Sequence, residues 1–160
     1  GIKGNLTEMK SFSDKALKIA PDLIVGNYEV QGLPGFSAKG RIFAEVAKSY
    51  ALIGDFNVAY KLLGIIESDR FYKEGVSEVL IIQAKNDKIG ARNLASKMLE
   101  LGGRIIDNKF LGQIAYAQAI TGDIENSLLT TKKMDIGFDF SQVLINIAKQ
   151  ISLQQVSPLT

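Results

Sequence analysis

The chain has no histidine, no cysteine and no tryptophan in 160 residues, and only three prolines. Without His it lacks the side chain that ordinarily moves protons near neutral pH, and without Cys it lacks a thiolate nucleophile, disulfides and the usual zinc ligands. Most common catalytic constellations are thereby excluded. Carboxylate pairs such as Glu67 with Asp69 fall at expected helix ends, where capping explains them. The expectation is a non-enzymatic protein with no catalytic residue, no cofactor and no metal.

No window approaches the roughly 18 uninterrupted apolar residues that a membrane span needs. Charge is nearly balanced, 19 basic against 17 acidic residues, so the net +2 gives little reason to expect specific nucleic-acid binding. Localisation stays open. A cysteine-free chain suits the cytoplasm, which is slightly favoured, yet a first residue of Gly rather than Met also fits export after removal of a signal segment.

What the chain does contain is punctuation. Gly54-Asp55, Asn86-Asp87 and Gly122-Asp123 each lie between two apolar patterns of helical period, and their acids are 32 and 36 positions apart, a mean of 34. Gly and Asn tolerate the left-handed backbone just past a helix end, and Asp is a preferred N-cap. Each dipeptide is expected to stop one helix and start the next. Helices are predicted at 38–53, 56–67, 71–85, 88–101, 108–120, 124–134 and 140–153. Ser68 or Asp69, and Asp107, supply further caps, and Gly102-Gly103 ends the fourth of these helices.

Counting from the acids exposes shared columns. Four residues after them stand Ala59, Ala91 and Ser127, and eight before them Ala47, Val79 and Ala115. Small side chains at both places predict that the two helices of each hairpin cross closely there. Leu62, Leu94, Ile66, Met98 and Met134 complete an apolar face. Upstream, Asn5 to Glu8 forms a capping pattern, and Leu6, Met9, Phe12, Ala16 and Leu17 form the stripe of an N-terminal helix over 1–20. The 21–40 connection combines glycines with Leu23, Ile24, Val25 and Phe36, too apolar for a free linker, and is read as a cap or partner contact.

Over 39–140 the pattern resembles the tetratricopeptide repeat family, a helix–turn–helix unit of about 34 residues. Ala47, Gly54-Asp55, Ala59 and Leu63 carry the resemblance in the first unit. Val79, Asn86-Asp87, Ala91 and Ala95 carry it in the second, and Ala115, Gly122-Asp123 and Ser127 in the third. Trp early in the first helix and Pro after the second are missing; HEAT and Sel1-like arrays are the related alternatives. The implied fold is all-α: an α-solenoid of about three hairpins over 41–135 in one domain, with a terminal capping helix over 139–154.

The resemblance implies that the first helices of successive hairpins line a concave groove. Arg41, Lys73 and Lys109 lie fourteen residues before the acids, at helix starts where a cation opposes the helix dipole, so helix stability does not account for them. Lys48, Leu80 and Tyr116 stand seven before, followed by Gln83 and the apolar Ala51, Leu52, Ala84, Ala119 and Ile120, and Gln113 lies nearby. A basic rim over an apolar floor suits a peptide with acidic and apolar residues. The expected function is a protein–protein interaction scaffold binding a partner's peptide segment, such as a chaperone or assembly adaptor, with oligomerisation open. The alternatives are an auxiliary helical domain of a larger enzyme or regulator and a nucleic-acid-binding repeat.

Overall fold

The computed structural model describes residues 2–19, 38–100 and 107–156. They form eight α-helices and, among the described residues, no strand: α1 (Ile2–Ile19), α2 (Ala38–Leu52), α3 (Phe56–Leu63), α4 (Asp69–Asn86), α5 (Lys88–Glu100), α6 (Asn108–Ile120), α7 (Ile124–Thr131) and α8 (Phe138–Val156). The last three residues of the 21–40 connection therefore belong to α2. The remainder of that connection and Gly102-Gly103 lie outside the described residues.

Two helices stop earlier than their apolar pattern. After α3 the backbone tightens: the N–H groups of Ile65 and Ile66 donate to the carbonyls of Leu62 and Leu63 at 3.2 and 3.0 Å. After α7, Lys133 and Met134 donate to Thr130 and Thr131 at 3.1 and 3.0 Å. These three-residue closures still turn Ile66 and Met134 inward, so the hydrophobic period outlasts the α-helix itself.

The chain divides into two compact units, Gly1–Val79 and Leu80–Thr160, with the boundary inside α4. In the first unit, α1 and α3 pack on α2. Phe43, Val46, Ala47, Tyr50 and Ala51 of α2 are buried, as are Ala59, Leu62 and Leu63 of α3. The Tyr50 hydroxyl donates to the Asp14 carboxylate and ties α1 to α2. At Gly75 of α4, an added Cβ would lie 3.1 Å from the Ala44 Cβ of α2 and 2.5 Å from Leu63 Cδ2 of α3. Glycine is what allows that approach.

In the second unit, α6 packs against α5, α7 and α8, and α7 also touches α8. Leu111, Ala115, Ala119, Met134, Val143 and Ile147 form its core, bordered by Leu99, Ile124, Phe140 and Ile151. Transfer of the larger of these side chains from water is worth roughly 1.5–3 kcal/mol each and offsets the intrinsic instability of eight-residue helices such as α7. A satisfied polar layer lies inside: Thr130 Oγ1 donates to Gln118 Oε1 at 2.8 Å, and Ser127 Oγ donates to the Ala115 carbonyl at 2.7 Å. That last bond sets two of the small columns against each other.

The turns that join α2 to α3 and α6 to α7 lie 68 residues apart and share their geometry. Gly54 and Gly122 take φ +87° and +83°. Gly54 N–H donates to Ala51 and Asp55 N–H to Tyr50, at 3.0 and 2.9 Å; Gly122 donates to Ala119 and Asp123 to Gln118 at the same two distances. The helix crossing recurs as well. Ala44 meets Gly75 in the first unit, and 68 residues on, an added Cβ at Gly112 would lie 2.7 Å from Val143 Cγ2.

The middle dipeptide departs from expectation. Asn86 remains in α4, and no non-glycine residue among those described has positive φ. Its side-chain amide instead donates to the Ile82 carbonyl at 2.8 Å, satisfying a helix-end acceptor without a left-handed residue. Asp87 alone separates α4 from α5, and its Oδ1 accepts the Gly90 N–H at 3.0 Å as an N-cap. Asp123 is a second correction: its side chain makes no cap bond and holds Asn126 Nδ2 at 3.0 Å instead.

Candidate interaction surface

The proposed basic positions lie in or just after the first turn of their helices. Arg41 is exposed in the first turn of α2, Lys73 is half-buried near the start of α4, and Lys109 is exposed as the second residue of α6. Arg41 and Lys73 belong to the first unit and Lys109 to the second. Lys48 is committed within the chain. Its Nζ lies 3.0 Å from Glu78 Oε2, and that bond raises its pKa against the opposing effect of burial.

The floor divides into surface and core. Leu80 is completely buried, as are Ala51, Ala84 and Ala119, so these residues hold the fold and present no side chain to a ligand. Leu80 had the helical spacing of a groove residue, but spacing alone does not distinguish an inward stripe from the adjacent outward one. Gln83 is also buried, and its Nε2 donates to Asp87 Oδ2 at 3.1 Å. Leu52 is exposed, whereas Gln113 and Tyr116 are half-buried on α6. In the second unit, Lys109, Gln113 and Tyr116 thus remain accessible on one helix.

Sequence reasoning missed the groups that orient this surface. Gln150 of α8 donates through Nε2 to the Tyr116 hydroxyl at 3.4 Å, and Gln154 Nε2 donates to the Ala119 carbonyl at 2.8 Å. Arg92 of α5 donates to the Thr121 carbonyl, placing a cation beside the C-terminal end of α6, where the helix dipole favours it. Gln150 lies 34 positions after Tyr116, the mean spacing of the three turn acids, which is the available signal for its position.

Tyr50 is pushed up to about 12, first by its bond to Asp14 and then by burial, so it remains a protonated donor near neutrality. Burial, with a smaller contribution from Tyr72, raises Tyr60 as well. Asp87 is lowered, first by the Gly90 N–H and then by Gln83. Among the described residues no buried side-chain polar atom lacks a partner, and no three His, Cys, Asp or Glu residues cluster to hold a metal. No family model matches the chain, and no curated protein or solved structure matches it.

Proposed function

We propose that the chain is a tetratricopeptide-like interaction module that uses the first helices of its hairpins to bind a peptide segment of a partner protein. The observation that carries this reading is the 68-residue recurrence of turn geometry, hydrogen bonds and helix crossing, which supports a stacked-hairpin solenoid with a period near 34. Repetition gives equivalent helices equivalent positions, and exposed Arg41, half-buried Lys73 and exposed Lys109 supply cations there. Leu52, Gln113 and Tyr116 add apolar and hydrogen-bonding contact. A segment bearing carboxylates and spaced apolar anchors is the matching ligand.

The test is an array of immobilised peptides differing in acidic and apolar content, probed with the wild-type chain and with an Arg41→Glu, Lys73→Glu, Lys109→Glu variant. Acidic peptides should retain the wild type and lose the variant by at least tenfold, with the helical circular dichroism unchanged. Equal retention of both would overturn the assignment.

A further inference from the structure

The outward face of α5 carries cations on both edges and a bare aliphatic side chain between them. The helix packs on α6, with Ala91 and Ala95 buried and Leu99 at the border of the second unit's core. Lys88, Ile89, Arg92, Asn93, Ser96 and Lys97 are exposed, and Ile89 keeps 74% of its surface open. At about 100° per residue, Ile89, Asn93 and Ser96 run along the middle of that face, with Lys88 and Arg92 on one flank and Lys97 on the other. Lys85, in the last turn of α4, is exposed just before it.

No carboxylate pairs with these cations among the described residues, where the ion pairs hold Lys48 and Arg70 instead. Arg92 donates to the Thr121 carbonyl, which steadies its guanidinium without cancelling the charge. The neighbouring carboxylate of Asp87 is engaged by the Gly90 N–H and by Gln83. The single acid of α5, Glu100, is its last residue, roughly 16 Å along the axis from Ile89.

We propose that this face of α5 rests on an anionic phospholipid bilayer. Ile89 enters the boundary between headgroups and acyl chains, and the long stems of Lys88, Arg92 and Lys97 carry their charges to lipid phosphates on either side. A planar surface meets both flanks of the helix at once, whereas a single partner helix or extended peptide meets one. The cations also gain more there. Each feels the summed potential of the leaflet, while an exposed ion pair with a peptide carboxylate contributes little. A nucleic acid is the poorer match, because the face has no aromatic side chain to stack on bases and Ile89 gains nothing from a phosphate backbone. With one inserted side chain the association is shallow, reversible and weakened by salt. It uses none of Arg41, Lys73 and Lys109 and is independent of the peptide-binding reading.

The test is co-sedimentation of the full chain with vesicles. Phosphatidylcholine mixed with an equal amount of phosphatidylserine should carry the protein down, and phosphatidylcholine alone should leave it in solution. Lys88→Glu with Lys97→Glu should lower the partition coefficient by roughly tenfold or more, and Ile89→Ser should lower it severalfold. Circular dichroism should not change in either variant, because all three side chains are exposed. The sequence has no cysteine, so an environment-sensitive dye can be attached at Ile89→Cys, or at Ser141→Cys on α8 as a reference. The mixed vesicles should move the emission of the first to the blue and leave the second unchanged. No sedimentation with the mixed vesicles, equal partition of wild type and both variants, or equal shifts at the two dye positions would overturn the proposal. So would retention by duplex DNA or by an acidic peptide, in place of vesicles, that depends on Lys88 and Lys97.

Discussion

Gly54 and Gly122 are the residues on which the hairpins turn. An L side chain at φ +87° or +83° is strained whatever the surrounding space, and the left-handed region costs roughly 1–2 kcal/mol for a non-glycine residue. Gly54→Ala and Gly122→Ala should each lower unfolding free energy by about that amount in urea titrations. Gly75 and Gly64 separate crowding from backbone freedom. At Gly75 a methyl meets Ala44 and Leu63, so Gly75→Ala should destabilise by about 1–3 kcal/mol before any gain in helix propensity. Gly64 has φ −62°, and a methyl there meets only carbonyl oxygens of its own turn at 3.4 and 3.5 Å, so Gly64→Ala should be neutral or stabilise by up to about 1 kcal/mol.

Asp87 gives the chain an acid-sensitive joint. Its carboxyl is depressed below the ordinary value of 3.8, so ionised Asp87 contributes stability that is present above that value and lost as pH falls through the depressed folded one. In wild type, urea midpoints should decline across that window, and Asp87→Asn should flatten the decline. Parallel curves for the two proteins would show that the Gly90 and Gln83 bonds do not set it.

At the scale of helices, much of the fold was legible because capping residues and apolar period agree. Both ends of 108–120 were readable: Asp107 caps its start, with Oδ1 2.8 Å from the Phe110 N–H, and Gly122 follows its end. The closing turns of α3 and α7 were not, because three-residue turns keep the apolar pattern while abandoning the α-helical ladder. Asn86 misled for a related reason: it tolerates left-handed backbone but also has a side-chain amide that can close the helix end without it. In the candidate surface, Leu80 and Gln83 look the same in sequence whether they line a groove or a core, and only the structure shows that both are buried. Ser127 and Ala59 occupy equivalent crossings and are both fully buried. Ser127→Leu and Ala59→Leu should therefore destabilise comparably, by about 1–3 kcal/mol or more, in chemical denaturation. A large loss at one and none at the other would break the equivalence.

For the molecule as a whole, one turn geometry and one close helix crossing occur in each compact unit, and the proposed function depends on that recurrence. The sequence has no cysteine, so disulfide trapping can examine it without background. Two double variants are needed, Ala44→Cys with Gly75→Cys and Gly112→Cys with Val143→Cys, along with a control that pairs exposed Arg41→Cys with the same Gly75→Cys. Mild oxidation followed by thiol counting and peptide mapping should find both crossing pairs linked at similar rates, since an added Cβ at Gly75 lies 3.1 Å from the Ala44 Cβ and one at Gly112 lies 2.7 Å from Val143 Cγ2. If only one crossing pair links, or neither does so faster than the control, the second unit does not repeat the first and the stacked-hairpin reading fails.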